Sequence, residues 1–230
     1  MIDKALASKD EQLIILALDW AKAFDSISPD ALCMALKRFG ISGKLITIIR
    51  DIYMRRVFRV RWNSNLSSFH PQHFGISQGC PLSLFLFSIL MTVLMHDCRS
   101  SFKDIPDSMM ELLYADDTLL VGNDAKLVRR YMQLIATEGR KYGLILNNLK
   151  LEMMQINCGF PIYDADGAPI KSKTSLKYLG ALLQKTGRID SEIGRQIGSM
   201  KSEFPTLISI WMHWHSTDWK AEINQTYQVL

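Results

Sequence analysis

Cysteine is scarce in this chain. Its 230 residues include four, Cys33, Cys80, Cys98 and Cys158, and no two are spaced as a CxxC-type metal clip. A chain of this length buries a core without disulfide staples, so reduced thiols in an intracellular protein are expected. Long apolar runs are also lacking. The longest, Leu82 to Met95, is broken by Ser83, Ser88 and Thr92. It falls short of the roughly 18–20 residues a bilayer span needs, and reads as a buried core helix with no membrane role. Met1 to Glu11 is polar and charged, without the apolar stretch of a secretory signal. The expected location is therefore cytoplasmic or nuclear. Neither charge sign dominates. Lys plus Arg is 27 and Asp plus Glu is 23, a net +4, which suits a polyanionic partner without demanding one. His213 and His215 have no cysteine nearby to complete a metal site.

What is present is an ordinary globular composition, 48% hydrophobic and 22% charged, which excludes disordered and collagen-like chains. Leu13 to Leu18 (LIILAL) is a continuous apolar run, typical of a strand buried on both faces. Ser28-Pro29-Asp30 opens a helix that Gly40 stops. A second helix follows Ser42, with Leu45, Ile48, Ile49, Ile52 and Tyr53 on one stripe. Val57 to Trp62 and Leu66 to Phe74 read as two strands around Asn63-Ser64-Asn65. Pro81 starts the core helix, to about Asp97. Met109 to Tyr114 and Thr118 to Val121 form a hairpin with acids at its tip. Asn123 or Asp124 caps a helix to about Tyr142, with Leu127, Val128, Tyr131, Leu134 and Ile135 facing inward. Glu152 to Asn157 and Leu176 to Gln184 are further strands, and a last helix runs from Gly187 toward Pro205. Strands interleaved with helices around a central hairpin imply an α+β fold, an antiparallel sheet with helices on one face.

Two groups of acids stand where the pattern does not want them. Asp19 ends the most apolar strand, and Asp116-Asp117 tip a hairpin flanked by Leu112, Leu113, Leu119 and Leu120. An Asp-Asp turn alone is ordinary and solvated. A carboxylate closing a buried strand is costly unless it is paired or binds a cation. If the two strands are neighbours, the acids meet at one edge and repel, and a divalent ion relieves that repulsion. Oxygen ligands with water and phosphate completing the shell describe Mg²⁺, and two such ions serve in-line phosphoryl displacement. Asp164 and Asp166 read as turn formers and Asp25 as structural.

Tyr114-Ala115-Asp116-Asp117 resembles the YxDD hairpin of reverse transcriptases. Leu18-Asp19-Trp20-Ala21-Lys22-Ala23-Phe24-Asp25 is similar to the segment carrying their first metal-binding Asp. Gly75 through Ser83 (GISQGCPLS) resembles their template-gripping motif, Gly143-Leu144 through Asn147 and Lys150 the next, and Leu176-Lys177-Tyr178-Leu179-Gly180 the primer grip. The motifs stand in the family's order over about Leu13 to Leu207. Their wording resembles the non-LTR retrotransposon (LINE-type) branch, with group II intron enzymes as neighbours.

The resemblance implies a polymerase palm at 1–184, with a remnant of the fingers, and a thumb-like helical segment at 185–230. It implies RNA-directed DNA polymerase activity on an RNA template, a DNA primer and dNTPs, with two Mg²⁺ ions or Mn²⁺ in their place. Asp19 and Asp116 would hold the metals, with Asp117 in support, and Lys150 would act as proton donor. Phe24 would be the steric gate against a 2′-hydroxyl. Gln78, Gly79 and Tyr114 would touch nucleotide, template or primer end, and Tyr178, Leu179 and Gly180 would form the primer grip. The arginines Arg55, Arg56, Arg59 and Arg61 would track template phosphates. Leu84 and Leu151 stand where the family usually has Pro and Thr. Few residues precede the first strand, so most of the fingers are expected to be missing. The alternative is a catalytically inactive retrotransposon fragment or nucleic-acid-binding remnant. A nucleotide cyclase, another palm-like enzyme, would not need the Gln78-Gly79 segment.

Overall fold

The computed structural model describes residues 2–102, 106 and 109–212. The chain begins with helix α1 (Ile2–Ala7), strand β1 (Leu13–Leu18) and one helical turn, α2 (Ala23–Ser26). Helices α3 (Pro29–Phe39) and α4 (Gly43–Met54) lead into four two-residue strands: β2 (Val57–Phe58), β3 (Arg61–Trp62), β4 (Asn65–Leu66) and β5 (His70–Pro71). Next come helix α5 (Pro81–Ser101), the hairpin β6 (Met110–Tyr114) and β7 (Asp117–Gly122), and helix α6 (Ala125–Lys141). Strand β8 (Glu152–Ile156), strands β9 (Ser175–Tyr178) and β10 (Ala181–Gln184), and helix α7 (Asp190–Met212) complete it.

The central sheet is antiparallel, in the order β6-β7-β1-β8. Its apolar alternation feeds two layers. Ile14, Leu16, Leu18, Leu120 and Met153 join the main core with α3, α5 and α6. Leu13, Ile15, Leu119, Val121 and Ile156 join a second layer with Ala5 of α1 and Leu176 of β9. Each fully buried Leu or Ile contributes about 2 kcal/mol by leaving water. Helices therefore cover one face as expected, and the β9–β10 hairpin with α1 covers the other. β1 is buried on both sides, which explains its unbroken apolar run.

Helix boundaries follow the local chemistry. The Ser28 hydroxyl accepts from the Ala31 amide at the start of α3, and Gly40 ends it at φ 99°. Asp124 rather than Asn123 caps α6, accepting from the Lys126 and Leu127 amides. Val128, Tyr131 and Ile135 face fully inward, while Leu127 and Leu134 are partly buried. Asp164 forms a turn, its Oδ1 accepting from the Asp166 and Ala168 amides.

Four expectations change. On α4 only Ile49 and Tyr53 are buried, because the helix packs on α3 and lays Tyr53 against α5, while Leu45, Ile48 and Ile52 stay exposed. The two strands read between Val57 and Phe74 shorten to pairs of residues, since both faces of these ladders are exposed and bury no core. The strand read from Leu176 to Gln184 folds back on itself. Leu179 and Gly180 both take positive φ, 48° and 81°, as a type I′ hairpin turn requires. Helix α5 reaches Ser101, so length and composition alone would let it cross a bilayer. Instead Leu86, Phe87, Leu90, Leu94 and Cys98 are buried among its helical neighbours, and it serves as the core helix.

Side-chain bonds tie the helices together. Arg38 of α3 grips Asp97 of α5 through both terminal nitrogens, and the Tyr142 hydroxyl after α6 donates to Asp97 Oδ2 at 2.8 Å. His213 and His215 lie outside the described residues.

Candidate active site

The register of the sheet assembles the acids. Leu18 of β1 pairs with Thr118 of β7, so Asp19 and Asp117 are the next residues on neighbouring strands. Tyr114 pairs with Asp117 across a two-residue turn, Ala115-Asp116. Ala115 sits at φ 51°, a region that favours glycine, which makes this a strained tip held by the sheet below it. The Asp117 carboxyl is pushed up by partial burial, and further by the charges of Asp116 and Asp19. Asp19 Oδ2 is buried and makes no hydrogen bond, while the Lys150 ammonium lies 3.5 Å away.

Backbone contacts hold Asp19 in place. Its carbonyl accepts from the Asn147 amide at 2.8 Å, and Ala21 donates to the Ile145 carbonyl at 2.8 Å. Trp20 is buried, and Gly139 has no room for a side chain because a Cβ would lie 2.7 Å from the indole ring. Lys22 then takes a left-handed conformation, φ 51°, and its carbonyl accepts from Asp25 and Ser26 to wind α2. That turn presents Phe24, stacked on Phe87 of α5 with ring centroids 4.7 Å apart.

A cleft of about 560 Å³ opens between Phe24, Gln78, Gly79, Cys80, Pro81, Ser83, Leu84 and Asp116. The Gly75–Gln78 loop is sewn to α2. Gly75 donates to Ile27, Ile76 donates to the Phe24 carbonyl at 2.7 Å, and Gln78 Nε2 donates to Asp25 Oδ1 at 3.3 Å. At Gly75, φ is +88° and a Cβ would meet the Asp25 backbone at 2.8 Å, so only glycine fits. Gly79 is open instead, with no atom within 4 Å of its Cβ position, leaving its backbone approachable.

The expected site residues thus divide. Asp19, Asp116, Asp117 and Lys150 come together, and Phe24, Gln78 and Gly79 share one cleft with Asp116. Tyr114 is largely exposed beside the acidic tip. Tyr178 lies on β9, its hydroxyl pushed up by burial and by Asp117, with Leu179 and Gly180 in the adjoining turn. The arginine track is corrected in part. Arg56 folds inward, donating to Ser77 Oγ at 3.0 Å and to the Gly75 carbonyl, and its guanidinium lies over the Tyr53 ring. Arg59 lies over Phe69. Cys80 and Ser83 lie within the template-gripping motif, where they were given no role of their own, and here they wall the cleft; the left-handed Lys22 was missed, since nothing local signals it.

The acids fit a cation. The buried Asp19 oxygen, whose charged neighbour is the Lys150 ammonium, and the Asp117 carboxyl, raised by burial and then by like charges, are both favoured further by a cation. Among the described residues no three His, Cys, Asp or Glu side chains close into a ready cage. Mg²⁺ does not need one, because it keeps waters and takes phosphate oxygens beside one or two carboxylates.

Comparison with known proteins agrees with this geometry. Residues 2–183 match the family model described as reverse transcriptase (RNA-dependent DNA polymerase). The chain is 27% identical over 223 residues to a retrovirus-related Pol polyprotein from the type-1 retrotransposable element R2 of Popillia japonica. That alignment covers 91% of this chain and 30% of the relative. It is also 30% identical over 119 residues to the transposon TX1 uncharacterized 149 kDa protein of Xenopus laevis, covering 49% of this chain and 9% of that one. The chain thus spans less than a third of the length of these relatives. Among solved structures, telomerase from Candida tropicalis, in complex with a fragment of telomeric RNA, superposes with a TM-score of 0.61 at 15% identity. It covers 83% of this chain and 32% of that one. Telomerase from Candida albicans gives 0.57 at 17% identity, covering 81% and 31%. These likenesses show a palm-type polymerase fold. From its motifs, its fold and a family match over most of its length, the chain belongs to the reverse transcriptase family.

Proposed function

We propose that this chain is the catalytic palm of an RNA-directed DNA polymerase, extending a DNA primer along an RNA template. Residues 1–184 would form the palm with a remnant of fingers and 185–230 would begin a thumb, of which 213–230 lie outside the described residues. One observation carries the reading. Asp19, with a buried carboxylate oxygen that makes no hydrogen bond, and Asp117 share one cluster of charge with Asp116, and Asp116 lines the Phe24–Gln78 cleft. Asp19 and Asp116 would hold two Mg²⁺ ions, with Asp117 in support. When bound, such ions supply Lewis acidity to the primer 3′-hydroxyl and neutralise the leaving pyrophosphate. The side chains do the rest. Phe24, backed by Phe87, is a rigid floor under the nucleotide sugar, where a 2′-hydroxyl would collide. Gln78 offers donor and acceptor groups to the nucleotide or template, and Gly79 lets its backbone approach a base closely. Lys150, whose ammonium lies 3.5 Å from Asp19 Oδ2, would give its proton to the departing pyrophosphate. Tyr114 and the Tyr178–Gly180 turn frame the primer end.

Primer extension on an RNA template with Mg²⁺ tests this. Template-directed dNTP incorporation that vanishes in Asp116→Ala is expected. The rival reading is a catalytically inactive, nucleic-acid-binding remnant. It would show salt-dependent RNA binding that survives loss of Asp19 and Asp116, with no incorporation.

A further inference from the structure

The β9–β10 hairpin is held from two sides. On the sheet side Leu176 is buried in the second core layer, and Tyr178 packs against that layer within electrostatic reach of Asp117. On the other side stands α7. The Leu182 amide donates to Glu192 Oε2 at 2.9 Å, and Arg195 Nη2 donates to the Gly180 carbonyl. Arg195 also grips Glu192 through Nε at 2.9 Å and Nη2 at 2.7 Å, and Gln196 Nε2 adds a bond at 2.7 Å. One carboxylate thus accepts from two side chains of its own helix and from the backbone of the hairpin. The Arg195 guanidinium and these other donors hold its pKa down at about 2.

The described apolar side chains of α7 add little to this contact. Ile193, Ile197, Met200 and Phe204 form an i, i+4, i+7, i+11 series along the helix, and all four are exposed. Apolar burial therefore does not set the angle at which α7 leaves β10. The polar pair does, and it acts on the two residues flanking Ala181, just past the tight turn. Gly180 and Leu182 are bonded to Arg195 and Glu192 respectively, so the turn cannot shift without breaking the pair or dragging the helix.

We propose that Glu192 and Arg195 are positioning residues that clamp the first turns of α7 to the tip of the β9–β10 hairpin, so that the setting of α7 fixes where that tip meets the primer end. This rests on the polymerase reading above, in which the tip grips the primer. Glu192 and Arg195 touch no reacting group. They act through Gly180 and Leu182.

The test compares the full chain with Arg195→Ala, Arg195→Lys and Glu192→Gln. Hydrogen exchange at the Leu182 amide reports the clamp itself, and Glu192→Gln should accelerate it. In primer extension with a trap for released enzyme, Arg195→Ala should shorten products and raise the KM for primer–template about threefold to tenfold, the range one hydrogen bond spans. The KM for dNTP should not move, and Arg195→Lys should restore part of the loss. A parallel change in both KM values would overturn the clamp, as would unchanged extension alongside accelerated exchange. If the unaltered chain incorporates nothing, the polymerase reading fails separately. Fluorescence anisotropy then decides, using a duplex with a recessed 3′ end and a blunt one. Weaker binding of only the recessed duplex by Arg195→Ala supports the clamp, and equal binding by both proteins overturns it.

Discussion

Asp97 should be worth about 2 kcal/mol to the fold. It joins three helical segments, taking both terminal nitrogens of Arg38 and the Tyr142 hydroxyl, and its side chain is only 18% exposed. These partners lower its pKa from 3.8 to about 2, with the Arg38 hydrogen bonds the largest cause. The drop corresponds to about 2 kcal/mol at 1.36 kcal/mol per unit. A carboxyl whose folded pKa lies below its unfolded one stabilises fully above the unfolded value. That contribution is lost as pH falls through the folded value, so it should fade between about pH 4 and pH 2. Asp97→Asn keeps the shape and removes the charge. Urea unfolding followed by tryptophan fluorescence at pH 7 should show about 2 kcal/mol less stability. The variant's stability should also fall less steeply than the parent's between pH 4 and pH 2. Equal stability at pH 7, or equal slopes below pH 4, would refute the reasoning. The cleft depends on this lock, because α5 carries Phe87, the ring behind Phe24.

Other outcomes follow from the site. Phe24→Ala should leave dNTP incorporation measurable and admit ribonucleotides, read as the ratio of kcat/KM for the two sugars. An unchanged ratio would remove Phe24 from sugar selection. Gly75→Ala should melt earlier and lose extension. A positive φ costs a side chain about 1–2 kcal/mol, and its Cβ would press on the Asp25 backbone at 2.8 Å. Asp117 is raised, so its charge opposes folding at neutral pH, and stability is gained as pH falls through the raised value. Asp117→Asn should therefore raise the melting temperature without Mg²⁺. Mg²⁺ should raise that of the parent chain by binding the folded state alone. A lower melting point for Asp117→Asn would contradict the repulsion.

Much of this molecule was legible along the chain because local signals are strong there. LIILAL at 13–18, the Ser28-Pro29 start, the Gly40 stop and the acidic hairpin all fell where expected. Failures came where a partner decides. The Leu45–Ile48–Ile52 stripe has helical spacing, yet no described element covers it. Arg56 lies in an alternating basic run, yet it turns inward because the Phe74 and Gly75 carbonyls and the Tyr53 ring offer it more than solvent. Gly180 was the overlooked signal that breaks Leu176–Gln184 into a hairpin.

The sequence by itself determined which groups are candidates for the proposed site: three aspartates where two strands end, a Phe five residues after the first, and a Gln-Gly pair before the long helix. Motif and periodicity are local properties, and they survive without a fold. Only the tertiary structure decided what those groups meet. Antiparallel pairing of β1 with β7 sets Asp19 beside Asp117 across about a hundred residues of chain. Packing of α5 puts Phe87 behind Phe24, and Glu192 and Arg195 close on Gly180 and Leu182. Such contacts depend on strand register and on which buried face each helix finds, and neither is written in any short stretch of residues.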